Sequence, residues 1–262
     1  MQKKTLVPLL CAAFAGLADA AVVTKTIAYE IEGEAFEGVL VYDDSVTTPR
    51  PGLLAVPNWM GVNEDTVAKA ARAAGDKYVV FVADMYGKSI RPSNAEEAGA
   101  AATAVRADRP LMRKRAQAAV EVLKAQSGEV ALDLDRLGAI GFCFGGGTVL
   151  ELARSGAPLK GFVSFHGNLD TPNPSDAKNI QAPVLVLHGA DDPAVPQAQV
   201  DGFIAEMKAA KTDWQLVSYG GAVHSFTNPK ANVPGRNEYH PVVAARAFKA
   251  MNDLFDEVFA EQ

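Results

Sequence analysis

The chain has 262 residues, of which 48% are hydrophobic and 21% are charged, and its formal net charge at pH 7 is -6. This length and balance are typical of a globular protein with room for one large domain. An acidic chain lacks the basic surface that nucleic-acid-binding proteins use, so no nucleic-acid partner is expected.

The first twenty residues have the pattern of a secretory signal peptide. Two lysines open the segment, an apolar stretch follows, and A-D-A at residues 18–20 suits cleavage after Ala20. The alternatives are a terminal helix or a membrane anchor, but the apolar stretch is short for a bilayer. We therefore predict a signal peptide at residues 1–20 and one domain at residues 21–262. This predicts a periplasmic or secreted protein without membrane attachment after cleavage.

Cleavage would leave Cys143 as the one cysteine of the mature chain, because Cys11 lies in the predicted signal. Such a chain forms no internal disulfide and carries a free thiol into an oxidising compartment. A thiol there is exposed to oxidation, so its presence needs a reason. Inert burial and catalysis are the two interpretations.

Strand and helix patterns alternate along the rest of the chain. The predicted strands are residues 24–31, 36–42, 52–56, 78–83, 137–142, 161–165, 184–187 and 214–219. The predicted helices are residues 63–74, 95–126 with a break at Arg109-Pro110, 144–154, 197–210 and 241–259. This alternation predicts an α/β fold with a mostly parallel central sheet, helices on both faces and a leading antiparallel hairpin.

The sequence G-F-C-F-G at residues 141–145 lies between a predicted strand and a predicted helix. A nucleophile elbow has the form G-x-Nu-x-G in this context, and its glycines permit a tight turn. The turn places the nucleophile at a helix N-terminus, where partial positive charge favours a thiolate. A glycine-rich turn around a buried cysteine is the alternative interpretation of Cys143.

Two later segments carry an acid and a histidine after predicted strands. Asp192 precedes the Pro193 turn, and His224 lies in a loop of small residues. Asp191, the residue before Asp192, is interpreted as a solvated or turn residue. If its segment stood alone, His224 would be interpreted as a surface-loop histidine. The order nucleophile, acid, histidine is that of α/β-hydrolases, so we predict a catalytic triad of Cys143, Asp192 and His224.

The chain resembles the dienelactone hydrolase family from about Thr24 to its C-terminus. The resemblance rests on the cysteine elbow and on P-N-W-M-G-V-N at residues 57–63, A-D-M-Y-G at residues 83–87 and G-A-V-H-S-F at residues 221–226. It implies an α/β-hydrolase fold, a Cys-His-Asp triad and no metal or organic cofactor. It also implies an oxyanion hole made by the backbone N–H groups of Phe144 and Trp59.

The sequence departs from the founding members of that family at three positions. Asn58 stands where they have a glutamate that interacts with the resting thiol, and asparagine cannot take a proton. Lys88 and Asn228 stand where they have two arginines that hold a substrate carboxylate. Lys88 can still pair with an anion, or it is a solvated loop lysine. Dienelactone is therefore not the expected substrate.

Five residues are predicted to line the substrate pocket beside the triad, with Trp59 as a further aromatic wall. They are Asn58, Tyr86, Lys88, His166 and Phe226. For each aromatic residue, core packing is the alternative, and His166 is alternatively structural. The predicted substrate is a small ester or lactone.

Two other functions remain open at this point. One is a non-catalytic or redox-responsive binding protein on the same fold, since fold does not fix function. The other is an enzyme that acts on thioesters or peptides. The oligomeric state is not predicted.

Overall fold

Eight strands form one sheet in the computed structural model, which describes residues 22–260. The predicted signal peptide lies outside the described residues, so it and the periplasmic or secreted location stay predictions. The strands are β1 (Val22–Ile31), β2 (Glu34–Asp43), β3 (Arg50–Val56), β4 (Val79–Val82), β5 (Leu132–Phe142), β6 (Phe162–Phe165), β7 (Val184–Gly189) and β8 (Trp214–Tyr219).

The helices and two short strands complete the fold. The helices are α1 (Glu64–Ala74), α2 (Ala95–Ala107), α3 (Arg109–Ala125), α4 (Phe144–Arg154), α5 (Gln197–Ala210) and α6 (Pro241–Val258). Strands β9 (Asn232–Val233) and β10 (Asn237–Glu238) form a separate antiparallel pair. None of the helices within residues 22–260 is long and apolar enough to cross a membrane.

The strand order in the sheet is β1-β2-β4-β3-β5-β6-β7-β8. Strand β2 runs antiparallel to both β1 and β4, whereas the remaining neighbours from β4 to β8 are all parallel. The predicted α/β-hydrolase fold and its leading hairpin are therefore confirmed. Because parallel strands end at the same edge, the loops after β5, β7 and β8 come together there.

Helices cover both faces of the sheet because alternate residues of its strands are apolar on opposite sides. On β3, Leu54 packs toward α2, α3, α4 and α5, while its neighbour Leu53 packs toward α1 and α6. Both leucines are fully buried. The central strands are apolar on both sides, as the sequence pattern predicts for a sheet with two covered faces.

Polar side chains set the helix boundaries near the site. Asn63 caps α1 by accepting a hydrogen bond from the backbone N–H of Thr66, and Gly75 ends the helix, as predicted. The predicted break in the long helical region lies at Asp108, one residue before Arg109. The Asp108 carboxylate accepts from Leu111 N–H and so begins α3.

Two features differ from the sequence prediction. Strand β5 begins at Leu132 rather than at residue 137, because Arg50 and Pro51 of β3 pair with Leu132 and Asp133 before a shift in register. The pattern missed this start because polar residues interrupt it. The two-residue strands β9 and β10 were also missed, because a ladder of that length leaves no periodicity in the sequence.

Candidate active site

Cys143 lies in a tight turn between β5 and α4 with a φ of 56°. A Cβ on Gly141 would lie 2.1 Å from the Gly145 carbonyl oxygen, and a Cβ on Gly145 would lie 2.1 Å from the Val56 carbonyl oxygen. Only glycine fits at either position, as the elbow pattern predicts. The strained cysteine is thereby held at the N-terminus of α4, where the helix dipole favours a negative charge.

Asp192 follows β7 in a turn that fixes its carboxylate. One oxygen, Oδ1, accepts a hydrogen bond from Ala194 N–H at 2.8 Å, and the other, Oδ2, lies 2.7 Å from His224 Nδ1. The side chain is fully buried. Its exposed neighbour Asp191 instead accepts from Gly221 N–H at 3.0 Å and so holds the loop that carries His224.

His224 lies between the acid and the thiol. Its Nε2 is 3.0 Å from Cys143 Sγ, so one imidazole ring connects Cys143 to Asp192. The loop after β8 is fixed from its far side by the β9–β10 hairpin, because Glu238 N–H donates to the His224 carbonyl at 3.1 Å. The three residues of the predicted triad therefore form one continuous chain of contacts.

The electrostatics of this chain favour an ion pair between thiolate and imidazolium. Burial raises the pKa of the Cys143 thiol, but the hydrogen bond and charge of His224 outweigh burial and leave the pKa below its ordinary value. For His224 the effect of burial is opposite in sign and lowers the pKa. Hydrogen bonds to Asp192 and Cys143 outweigh burial and raise the pKa of His224 to about 10. At neutral pH, His224 therefore donates from both ring nitrogens.

This ion pair predicts a thiol that alkylates at lower pH than an ordinary cysteine. Because the pKa of Cys143 lies below its ordinary value, iodoacetamide labelling should reach half its maximal rate at a lower pH than for a free cysteine. The His224→Ala variant loses the two strongest interactions that lower this pKa but keeps the burial that raises it, so its midpoint should move upward. The Cys143→Ala variant supplies the background, including label on Cys11. A midpoint that stays unchanged without His224 would contradict the ion pair.

The two predicted oxyanion donors lie on either side of the elbow. The Phe144 N–H begins α4 and contributes to lowering the pKa of the Cys143 thiol. Trp59 lies in the loop after β3, which the elbow touches because Gly145 packs against the Pro57 carbonyl. The Trp59 N–H donates to no other protein group within residues 22–260, so it remains free for a ligand.

A cavity of about 750 Å³ opens over Cys143 and His224. Its walls come from the loop after β3, the turn after Asp192, the His224 loop and the β9–β10 hairpin. The lining includes Asn58, Trp59, Met60, Asn63, Asp65, Pro193, Ala194, Ser225, Asn228, Lys230 and Arg236. Asn58 and Trp59 both line this cavity, and Asn58 Oδ1 already accepts a hydrogen bond from Met60 N–H at 3.0 Å.

Four residues predicted to bind substrate do not line this cavity. Phe226 is fully buried in the core, and His166 is 2% exposed with its Nε2 2.8 Å from Thr227 Oγ1. Lys88 lines a neighbouring groove, where its Nζ pairs with Glu37 at 3.0 Å. Tyr86 borders the same groove, and its hydroxyl donates to the Trp59 carbonyl at 2.9 Å. These four residues therefore lie outside the cavity over Cys143, and their contact with a substrate stays a prediction.

His166 nevertheless lies next to the site. Its ring centroid is 5.2 Å from that of His224. Burial, followed by the positive charges of His224 and Lys69, holds the pKa of His166 well below its ordinary value. A neutral imidazole in this position packs against His224 without competing for Asp192, which supports the structural interpretation of His166.

Arg236 is a cavity residue that the sequence did not indicate. It lies in the turn between β9 and β10 and makes no ion pair with any described residue. Lys230, the other basic residue of the lining, pairs with Asp65. No motif surrounds Arg236, and its position depends on the contact between β10 and the His224 loop. Within residues 22–260, no group of three or more His, Cys, Asp or Glu side chains is placed to hold a metal ion.

A mostly parallel sheet with a nucleophile elbow after its central strand, followed along the chain by an acid and a histidine at the same edge, defines an α/β-hydrolase. Residues 36–259 match the dienelactone hydrolase family. The chain belongs to this family, and the resemblance and the enzyme class that the sequence predicted are confirmed.

Known proteins resemble the chain over most of its length. The solved structure m3DLH is 39% identical with a TM-score of 0.85, and a dienelactone hydrolase-like promiscuous phosphotriesterase from metagenomic libraries is 37% identical with a TM-score of 0.83. Each match covers 91% of this chain and 99% of the other. A probable 2-oxo-3-(5-oxofuran-2-ylidene)propanoate lactonase from Bradyrhizobium sp is 29% identical over 78% of this chain and 82% of its own.

Proposed function

We propose that this chain hydrolyses small carboxylic esters or lactones by acyl transfer through Cys143, His224 and Asp192. The observation that carries the proposal is the 3.0 Å contact between Cys143 Sγ and His224 Nε2 at the floor of an open cavity. A nucleophile needs a base within hydrogen-bond reach and a third group that orients the base. His224 and Asp192 meet both requirements.

In the first step, the Cys143 thiolate attacks the carbonyl carbon and the carbonyl oxygen becomes an oxyanion. The N–H groups of Phe144 and Trp59 stabilise that charge. As the C–O bond to the leaving group breaks, His224 Nε2 gives its proton to the departing alkoxide. The products of this step are an alcohol, or the opened end of a lactone, and a thioester on Cys143.

In the second step, neutral His224 removes a proton from a water molecule that attacks the thioester. The tetrahedral intermediate collapses to the carboxylic acid and expels the Cys143 thiolate. His224 keeps the proton taken from water, so the starting ion pair is restored. Asp192 holds the imidazole in orientation throughout.

The cavity constrains the substrate. A volume of about 750 Å³ is within the range of small-molecule sites, roughly 300–1,000 Å³. Lys88 lies outside it and Asn228 carries no charge, so the carboxylate clamp that the resemblance implies is missing from these two positions. The lactone named for the Bradyrhizobium relative is compatible with this size. Arg236, which forms no ion pair with any described residue, is available to an acidic group of the substrate.

A substrate panel with detection of the acyl-enzyme tests the proposal. The panel should hold an aryl ester, a lactone, a thioester, a peptide amide and an aryl phosphotriester. We expect turnover of the ester or lactone, with a burst of about one equivalent of the aryl alcohol and an acyl mass on the peptide that contains Cys143. Turnover of these substrates with no acyl group on that peptide at any time would contradict the mechanism. Activity confined to thioesters or peptides would show that the substrates belong to those classes and are not esters or lactones.

A further inference from the structure

The segment A-D-M-Y-G at residues 83–87 has no part in the mechanism so far, although Tyr86 contacts the loop that carries Trp59. The Tyr86 side chain is 3% exposed, and its hydroxyl donates to the Trp59 carbonyl at 2.9 Å. A buried hydroxyl that donates its one hydrogen bond to a loop carbonyl fixes the direction of that carbonyl.

The peptide unit between Trp59 and Met60 is held at both ends. The carbonyl oxygen of this unit belongs to Trp59 and accepts from the Tyr86 hydroxyl. The N–H of the unit belongs to Met60 and donates to Asn58 Oδ1 at 3.0 Å. Gly61 N–H donates to the Asn58 carbonyl at 3.0 Å and closes the turn. With this peptide plane fixed, the preceding N–H of Trp59 has little freedom to rotate.

The Tyr86 ring also touches the other side of the elbow. Its centroid is 5.7 Å from that of Phe144, whose N–H is the second proposed oxyanion donor. Gly61 lies directly against the ring, since a Cβ there would approach Tyr86 Cδ2 to 3.2 Å. A single side chain therefore contacts both segments that supply the oxyanion donors.

The anchor of Tyr86 is itself rigid. Asp84 is buried and its Oδ1 accepts from the N–H groups of Tyr86 and Gly87, each at 3.0 Å. The other carboxylate oxygen, Oδ2, pairs with Arg91 at 3.0 Å. Burial, with smaller contributions from Cys143 and Asp84, raises the pKa of Tyr86 above its ordinary value, so its hydroxyl stays protonated at neutral and mildly alkaline pH.

We infer that Tyr86 is a positioning residue that holds the Trp59 N–H in the geometry needed for the oxyanion. The inference rests on the proposed acyl transfer and assigns to Tyr86 a role outside the cavity. Its effect belongs to the step in which negative charge develops on oxygen. Formation of the thiolate, which depends on His224, is unaffected.

The test compares two reactions of Cys143 in the Tyr86→Phe variant. Alkylation by iodoacetamide needs the thiolate but forms no oxyanion, whereas addition to an aryl trifluoromethyl ketone forms one. We expect kcat for an aryl ester and the affinity for the ketone to fall about 10-fold. This is less than the roughly 10²–10³ that the loss of an oxyanion donor costs, because the Trp59 N–H is still present but is less firmly held. We expect KM and the alkylation rate to stay close to those of the unmodified protein. The dissociation constant of the ketone is a property of the folded molecules alone, so it does not depend on the fraction of folded protein.

Tyr78→Phe is the matched control, because Tyr78 is also buried and its hydroxyl contacts Asn252 Oδ1, away from the elbow. This variant should leave the ratio of the two reactions unchanged. An unchanged ratio in Tyr86→Phe would overturn the inference, whether neither reaction slows or both slow by the same factor. Turnover that survives in Cys143→Ala would instead overturn the proposed function, so the two failures are distinguishable.

Discussion

The Cys143→Ala variant is expected to lose the hydrolysis of a simple aryl ester by on the order of 10⁴-fold or more in kcat, because no other group at the elbow can form the covalent intermediate. Alanine adopts the φ of 56° at this position with the same strain as cysteine, so the fold should survive. The measurement is steady-state turnover beside a thermal unfolding curve. A kcat near that of the unmodified protein would refute Cys143 as nucleophile.

Ser225 supplies the matched control for this prediction. Among the described residues that line the cavity, Ser225 is the one hydroxyl-bearing serine or threonine, and it lies next to His224. The Ser225→Ala variant removes this alternative nucleophile while keeping a small side chain at a φ of 61°. We expect it to keep most of the activity. The opposite pattern, with Ser225→Ala inactive and Cys143→Ala active, would assign the chemistry to serine.

The Asp192→Asn variant is expected to reduce kcat by between about 10²- and 10⁴-fold, the range in which oriented acid–base groups and their partners contribute. The amide removes the negative charge that raises the pKa of His224 and offers the imidazole a donor or an acceptor instead of a carboxylate. The imidazole then loses its fixed orientation toward Cys143 Sγ. Steady-state kinetics against pH measure the effect.

Asp191→Asn is the control for this second prediction. Asp191 is the adjacent carboxylate, but it is exposed and only accepts from Gly221 N–H, which an amide oxygen also does. Its loss of charge should change kcat little, as is usual for exposed positions. Equal effects of the two substitutions would show that general negative charge near the loop matters, and that orientation of His224 by Asp192 does not.

The turn at Cys143 and the places of Asp192 and His224 along the chain can be predicted from the sequence because local chemistry constrains them. Cys143 needs glycines on both sides of a strand–helix turn, and those glycines are visible in the chain itself. The positions of Asp192 and His224 follow from the rule that parallel strands end at one edge. Strand order and pairing then bring together residues that are far apart in sequence.

The lining of the cavity was harder to predict because it depends on turns that point side chains to one side or the other. Ser225, with its φ of 61°, reverses the chain after His224 and directs Phe226 into the core. Gly87, with a φ of 101°, precedes Lys88, whose N–H donates to the Ala35 carbonyl and holds it beside the neighbouring groove. The periodicity of the sequence carries no information on either turn.

The contact between Cys143 and His224 joins residues 81 positions apart in the chain. The imidazole is not near the thiol before the sheet has assembled, so the nascent chain carries an ordinary cysteine. The nucleophile therefore comes into existence only with the native topology. A thiol that is still mostly protonated reacts slowly with electrophiles. The cysteine is therefore protected from such reactions during synthesis, until the contact with His224 forms.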